Sequence, residues 1–163
     1  MTEIYPLREF EGVSLAIMPR PRAGDWLADE IDSWRNANIR TVVSLLESQE
    51  IAELGLEDEP KLCASRGIEL ISFPIRDRGV PNSYGALNQL IVPLLPKVRG
   101  GLMVAVHCRA GIGRSGLVAA SILVRSGIPY AHVFPALSRA RGLAVPDTEG
   151  QAEWVRGYAQ CAQ

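Results

Sequence analysis

The chain alternates short apolar runs with longer amphipathic stretches, which is typical of an α/β protein. The short runs are rich in β-branched or apolar residues and are bounded by glycine, proline or charged residues, as strands are. The predicted strands cover Val13–Met18, Thr41–Leu46, Glu69–Phe73 and Leu102–His107. Residues 102–106 are apolar throughout, which favours a central strand that is covered on both faces.

The amphipathic stretches predict helices between and after these strands. They cover Asp25–Ala37, Glu50–Leu54, Glu59–Arg66, Ser83–Val98, Ser115–Ser126, Ala131–Arg141 and Thr148–Cys161. Pro93 and Pro96 fall inside the stretch at 83–98, and a proline inside a helix removes a hydrogen bond and clashes with the preceding turn. We therefore expect a kink or a break there. The order of elements predicts a central, mostly parallel sheet of four to five strands flanked by helices.

Composition and charge narrow the range of partners. The chain has 163 residues, which predicts a single domain over residues 1–163. Apolar residues make up 47% of the chain and charged residues 21%, so there is enough apolar surface to bury a core. The formal charge of −1 provides no global basic field, and no apolar run approaches the roughly 20 residues that cross a bilayer. We expect neither nucleic acid nor a membrane as a partner.

Neither the cysteines nor the acidic residues have the spacing of a disulfide framework or a metal site. The three cysteines, Cys63, Cys108 and Cys161, are an odd number without CxxC spacing, which argues against a disulfide framework or a zinc site. Free thiols suit a reducing compartment, so a cytoplasmic location is expected. A cluster of acids follows no metal-ligand spacing and is interpreted as a solvated helix face. Its members are Glu47, Glu50, Glu53, Glu57, Asp58 and Glu59.

The segment from Val106 to Gly116 joins the end of the most buried predicted strand to the start of a predicted helix. Open α/β sheets bind ligands at the carboxyl ends of their strands. Gly111 and Gly113 allow the intervening backbone to curl, so that its N–H groups form an anion nest beside the positive end of the helix. A thiol in such a place is stabilised as the nucleophilic thiolate. We therefore expect Cys108 to be a nucleophile facing a bound anion.

The residues around Cys108 suit a phosphoryl group. Arg114 supplies a planar fork for two phosphoryl oxygens, a geometry that lysine lacks. Ser115 can offer its hydroxyl to the sulfur as an intermediate breaks down, and His107 is interpreted as a residue that holds the loop in place. The residues expected to bind the anion through the loop are Arg109, Ala110, Gly111, Ile112 and Gly113.

The His-Cys-x5-Arg-Ser run at 107–115 resembles the loop of the cysteine-dependent protein phosphatases, and residues 110–116 are similar to its tyrosine-phosphatase form. The chain length resembles that of the dual-specificity branch. Within it, residues 73–81 and 141–151 most resemble the cyclin-dependent-kinase-associated phosphatases and their bacterial relatives. The resemblance covers residues 13–158 and implies a phosphatase-type three-layer sandwich.

This resemblance implies hydrolysis of phosphotyrosine in a protein or peptide, with phosphoserine and phosphothreonine as further substrates, through a phosphocysteine intermediate. The family carries its general acid at the position of Asp77, which would protonate the leaving oxygen. Gly79 and Pro81 follow it and suit a loop that closes over a site. The scheme requires no metal and no cofactor.

The chain departs from the family at one position. The family often has glutamine where this chain has Asp147, and that glutamine orients the hydrolytic water. Gln151 is the expected substitute. Arg76 and Arg78 flank the predicted site and can steer an anionic substrate.

Other functions remain open from the sequence. A phosphoinositide or small-molecule phosphatase would use the same loop, although lipid phosphatases tend to carry lysine in it. An arsenate reductase, a sulfurtransferase or a non-catalytic phospho-binding module also has an anion cradle of this type. Cys63 and Cys161 show no relay spacing for redox chemistry, and the presence of Cys108, Arg114 and Asp77 together favours a hydrolase.

Overall fold

The computed structural model describes residues 1–162, and a five-stranded sheet lies at its centre. Its strands are β1 (Tyr5–Pro6), β2 (Leu15–Met18), β3 (Ile39–Ser44), β4 (Glu69–Ser72) and β5 (Met103–His107). The spatial order is β1-β2-β5-β3-β4, in which β1 pairs antiparallel to β2 and the other pairs are parallel. The sequence pattern located β2 to β5 to within two residues at each end. It missed β1, since two residues that include a proline leave no alternation to detect.

Eight α-helices flank this sheet in the described part of the chain. They are α1 (Leu27–Asn36), α2 (Ser48–Leu54), α3 (Glu59–Ser65), α4 (Tyr84–Ile91), α5 (Leu95–Arg99), α6 (Arg114–Arg125), α7 (Tyr130–Arg141) and α8 (Glu149–Cys161). The expected break within residues 83–98 is confirmed, because a 3₁₀ turn at Val92–Leu94 separates α4 from α5. Pro93 and Pro96 each lie in the first turn of a new helical segment, where a missing N–H costs nothing.

The strands divide their side chains between two cores. On β2, Leu15 and Ile17 pack into a core with the helices α4 to α8, whereas Ala16 and Met18 pack into a second core with α1 and α3. This alternation follows from the two-residue period of a strand, in which neighbouring side chains point to opposite faces. The predicted three-layer α/β sandwich is therefore confirmed.

Strand β5 lies between β2 and β3, and the side chains of residues 104–106 are fully buried. The prediction of a central strand covered on both faces is confirmed. Because β5 ends at His107 and α6 begins at Arg114, the predicted anion loop lies at the carboxyl end of the most buried strand. Within residues 1–162, no helix has both the length and the apolar character needed to cross a membrane.

Helix α6 packs closely against the chain that follows α7. A methyl group on Gly116 would lie 2.3 Å from Val145 Cγ1, which is far inside van der Waals contact. By contrast, a methyl group on Gly85 in α4 would come no closer than 3.9 Å to another heavy atom. The two glycines are a matched pair, both helical but with opposite packing environments.

We expect Gly116→Ala to lower the free energy of unfolding by about 1–3 kcal/mol, because the new methyl group overpacks this contact. Gly85→Ala should leave stability unchanged or raise it by up to about 1 kcal/mol, since alanine loses less conformational entropy than glycine on folding. Urea denaturation of the two variants measures the difference. Equal effects would contradict the packing described for α6.

Candidate functional site

Cys108 follows β5 directly, and its side chain is buried at the base of the loop. Its Sγ lies 3.3 Å from the Ser115 Oγ in the first turn of α6. The Arg20 N–H donates to the carbonyl oxygen of Arg109 at 3.2 Å, and the Leu45 N–H donates to that of His107 at 3.0 Å. The segments that follow β2 and β3 are therefore hydrogen-bonded to the end of β5 and to the start of the loop.

The two glycines of the loop are required by close approach. Gly111 has φ of +72°, and a Cβ there would lie 2.6 Å from the carbonyl carbon of Met18. A Cβ on Gly113 would lie 2.7 Å from Asp147 Oδ2. Gly111 adopts its positive φ without steric cost, which lets the loop pack against the end of β2. Gly113 has no Cβ, which lets the loop pack against the segment before α8.

Arg114 is the first residue of α6, and its side chain is 2% exposed. Its guanidinium donates two parallel hydrogen bonds to Glu50, at 2.7 and 2.8 Å, and a third to the Ile75 carbonyl at 2.9 Å. Burial opposes its charge, but the Glu50 hydrogen bonds and the nearby Cys108 outweigh it and raise the pKa of Arg114. The site therefore contains a permanently charged and rigidly oriented fork.

The interpretation of the acidic cluster as a solvated helix face is wrong for two of its members. Glu50 is only 7% exposed because it pairs with Arg114 and accepts a hydrogen bond from the Glu47 N–H at 2.9 Å. Burial raises the pKa of Glu50, but the hydrogen bonds from Arg114 and from the Glu47 backbone lower it further, to below its ordinary value. Glu50 therefore stays ionised beside the guanidinium.

Glu59 is the second exception and is 2% exposed. Its Oε1 lies 2.7 Å from His107 Nε2, and His107 Nδ1 lies 3.3 Å from the Cys108 carbonyl oxygen. His107 thus connects the first turn of α3 to the loop. Burial of the Arg114 guanidinium requires a counter-charge, but no local pattern in the sequence identifies which acid supplies it.

Asp77 follows β4 and approaches the loop from the solvent side. Its side chain is 59% exposed, and its Oδ1 lies 3.2 Å from Arg114 Nη2. A tight turn comes next, in which Arg78 has φ of +60° and the Gly79 N–H donates to the Arg76 carbonyl at 2.8 Å. The carboxylate is therefore held at the entrance, in contact with both solvent and the fork.

Gln151 lies behind the site and is fully buried. Its Oε1 accepts a hydrogen bond from the Thr148 N–H, and its Nε2 donates to the Gly79 carbonyl, both at 3.2 Å. Gln151 therefore links the start of α8 to the turn that follows Asp77, and its amide nitrogen keeps a second N–H. Asp147 lines the cavity, whereas the role of Gln151 in orienting a hydrolytic water stays a prediction.

These groups enclose a cavity of about 200 Å³ that is small enough to suit a phosphoryl group. Its lining residues are Asp77, Arg78, Cys108, Arg109, Ala110, Arg114 and Asp147. The remaining predicted site residues, His107, Gly111, Ile112, Gly113, Ser115 and Gln151, do not line it. Among residues 1–162, no group of three or more histidine, cysteine, aspartate or glutamate side chains could hold a metal ion.

The other two thiols have different surroundings. Burial, followed by the charge of Glu59, raises the pKa of Cys63 to about 12, so that this thiol is inert at neutral pH. Cys161 is exposed in the last turn of α8. All three cysteines are free, and of the three only Cys108 lines the cavity.

Residues 16–128 match the family described as "Tc-R-P: Polymorphic toxin system, DSP-PTPase phosphatase". The chain belongs to this family. The expected membership of the dual-specificity and tyrosine phosphatase branch is thereby confirmed.

Curated relatives support the same assignment. Protein tyrosine phosphatase domain-containing protein 1 of Danio rerio is 31% identical over 141 residues, which cover 80% of this chain and 19% of that protein. The Mus musculus protein of the same name is 30% identical over the same length, with 80% and 18% covered. This phosphatase-family chain thus spans about a fifth of the length of these relatives.

Solved structures agree in fold. A kinase associated phosphatase (KAP) with serine in place of its catalytic-site cysteine has a TM-score of 0.85 at 18% identity, covering 99% of this chain and 95% of that one. Tk-PTP in its active form has a TM-score of 0.74 at 25% identity, covering 93% and 98%. PTPMT1 has a TM-score of 0.76 at 18% identity, covering 98% and 96%.

The buried pair between Glu50 and Arg114 generates a stability prediction for this phosphatase-family chain. We expect Glu50→Gln to lower the free energy of unfolding by about 3 kcal/mol, since it leaves a buried guanidinium without its counter-charge. Glu53 is on the same helix but exposed, so Glu53→Gln should change stability by less than about 0.5 kcal/mol. Chemical denaturation at pH 7 checks both, and similar losses in the two variants would contradict the pairing.

The lowered pKa of Glu50 also predicts how this difference depends on pH. Its pKa in the folded chain is below its ordinary value of 4.5, so the unfolded chain binds more protons at low pH. The stability that the pair contributes is therefore present above about pH 4.5 and is lost as the pH falls through the folded-state pKa. The stability gap between the native chain and Glu50→Gln should shrink at acid pH. A gap that stays constant down to pH ~3 would contradict this assignment.

Proposed function

We propose that this chain is a metal-independent phosphomonoester hydrolase that dephosphorylates phosphotyrosine, and secondarily phosphoserine and phosphothreonine, in proteins or peptides. The observation that carries the proposal is one cavity lined by a cysteine nucleophile, a charged guanidinium fork and an exposed carboxylate. These are Cys108, Arg114 and Asp77. Residues 1–163 are proposed to act as one domain.

In the first step, the Cys108 thiolate attacks phosphorus, and a bond forms between sulfur and phosphorus as the bond to the leaving oxygen breaks. Asp77 gives its proton to that oxygen. The fork of Arg114 and the loop N–H groups bind the phosphoryl oxygens, where positioning and charge stabilisation supply most of the catalysis. This role of Arg114 is supported by its bidentate contact with Glu50, which sets its orientation before substrate binds.

In the second step, water attacks the phosphocysteine and Asp77, now a carboxylate, accepts its proton. The bond between sulfur and phosphorus breaks, and the thiolate leaves with a hydrogen bond from the Ser115 hydroxyl, which lies 3.3 Å away. Asp147 is proposed to orient the attacking water, because it lines the cavity and Gln151 does not.

Phosphorylated side chains on proteins suit the shape of the site. The cavity of about 200 Å³ holds little more than the phosphoryl group, and Asp77 is exposed at its entrance. The seven lining residues do not form a deeper pocket around a tyrosine ring, so shorter phosphorylated side chains can also reach Cys108. A thiolate nucleophile also requires a reducing compartment, which supports the expected cytoplasmic location.

A second candidate substrate class is a phosphoinositide or another polyanionic small molecule. The arginines Arg78 and Arg109 are exposed and line the cavity, where they can bind further anionic groups. Rates on phosphotyrosyl peptides, phosphoseryl peptides and soluble inositol phosphates separate the two classes. The fastest turnover is expected on phosphotyrosyl peptides, and a clear preference for inositol phosphates would favour the second class.

We expect Cys108→Ser to reduce hydrolysis of an aryl phosphate by more than about 10⁴-fold, because serine is a far weaker nucleophile at neutral pH. Cys161→Ser is the matched control and should retain full activity, since Cys161 is exposed at the end of α8. EDTA should not reduce turnover. Full activity of the Cys108 variant, or a strict metal requirement, would contradict the mechanism.

We expect Asp77→Asn to lower turnover by roughly 10²–10⁴-fold on phosphate esters with poor leaving groups, which need a proton donor. The loss should become small on activated aryl phosphates, whose leaving oxygen departs without protonation. Asp147→Asn should instead slow hydrolysis of the intermediate, independently of the leaving group. Steady-state and pre-steady-state rates of both variants over a series of aryl phosphates separate the two effects. A loss of turnover in Asp77→Asn that does not depend on the leaving group would reject Asp77 as the general acid.

A further inference from the structure

Arg141 contacts the loop through two of its backbone carbonyl groups. It is the last residue of α7, and Gly142 ends the helix in the left-handed conformation with φ of +80°. The Arg141 Nε donates to the carbonyl oxygen of Gly111 and its Nη2 donates to that of Ala110, both at 3.2 Å. One guanidinium therefore bridges two consecutive carbonyl groups of the loop.

This bridge determines where the loop N–H groups point. In a trans peptide the C=O and the N–H point in opposite directions, and the peptide bonds of this segment are trans. When Arg141 holds the Ala110 and Gly111 carbonyls, the N–H groups of Gly111 and Ile112 point away from it. Neither N–H donates to a backbone acceptor within residues 1–162, so both are available to an anion.

The hydrogen bonds from Arg141 restrain the loop beside its most flexible residue, Gly111. Gly111 occupies positive φ, and glycine moves between backbone conformations at little cost. A peptide plane beside it that turned over would present a carbonyl oxygen, rather than an N–H, to a phosphoryl group. Arg141 opposes that rotation, because its two hydrogen bonds form only when both carbonyl oxygens point toward its guanidinium.

A second contact holds Arg141 itself. Its guanidinium carbon lies 4.3 Å from the centre of the Tyr5 ring, in a cation–π arrangement. Tyr5 belongs to β1, the short edge strand that pairs antiparallel to β2. The edge strand and the end of α7 together support the loop from outside.

We infer that Arg141 is a positioning residue that keeps the loop in its anion-binding form, an inference that rests on the proposed function of the same site. It does not touch the phosphoryl group and acts through the peptide planes that follow Ala110 and Gly111. Its removal should weaken oxyanion binding and lower kcat more than it raises KM, because preorganised donors matter most in the transition state.

The chain offers a matched control on the same helix. Arg139 is also in the last turn of α7, but its guanidinium pairs with Glu9 and makes no contact with the loop. Arg139→Ala removes the same charge from the same region. If Arg141 acted only through long-range charge, the two alanine variants would behave alike.

The experiment measures tungstate binding by calorimetry in the Cys108→Ser background, where no turnover interferes. Against that parent we expect Arg141→Ala to weaken tungstate binding roughly 10- to 100-fold. Arg141→Lys, which keeps the charge but lacks the fork, should recover part of this loss, and Arg139→Ala should bind as the parent does. Thermal melting of each variant shows whether the fold is retained.

Equal tungstate affinity of Arg141→Ala and Arg139→Ala would overturn the inference, as would a parent that binds no tungstate. Should Arg141→Ala fail to fold, Arg141→Lys decides: weaker binding at an unchanged melting temperature supports the inference, and parental binding overturns it. Aryl phosphate turnover by the native chain tests the proposed function separately. Failure of that turnover with the expected binding series would reject the hydrolase and leave the role of Arg141 intact.

Discussion

The buried ion pair between Arg114 and Glu50 is the interaction on which the site depends. It joins the first turn of α6 to α2, and the same guanidinium also binds the Ile75 carbonyl beyond β4 and contacts Asp77. A buried guanidinium is costly unless its charge is matched, and here Glu50 supplies the counter-charge while three of the five N–H donors are hydrogen-bonded within the protein. The pair orients the fork toward the cavity in the absence of substrate, so that binding does not have to order it.

Other polar groups at the loop are also paired within the protein. His107 is paired with the buried Glu59, the Arg109 carbonyl accepts from the Arg20 N–H, and the next two carbonyls accept from Arg141. The outward groups of the loop are thus satisfied by protein, whereas its N–H groups remain for an anion. This division explains how a loop containing two glycines can be rigid enough to bind one oxyanion geometry.

The parts that could be predicted from the sequence are those encoded locally. The loop at 107–116 could be predicted because the strand, the glycines, the cysteine and the arginine are contiguous in the sequence. The helix break at Pro93 follows from the geometry of proline. Glu50 and Glu59 could not be assigned, because their partners lie 64 and 48 residues away and their neighbours in sequence are exposed acids. The capping box that Thr148 forms with Gln151 is also encoded locally, because the two residues are three positions apart.

The most direct test of the account is a rapid-quench reaction of the native chain with an activated aryl phosphate, analysed by peptide mass spectrometry. A burst of the aryl product is expected, together with a phosphoryl group carried by the peptide that contains Cys108. Asp147→Asn should increase the amount of that phosphopeptide, because its breakdown would be slower. Turnover without any covalently bound phosphate, or with phosphate on a residue other than Cys108, would contradict a mechanism through phosphocysteine.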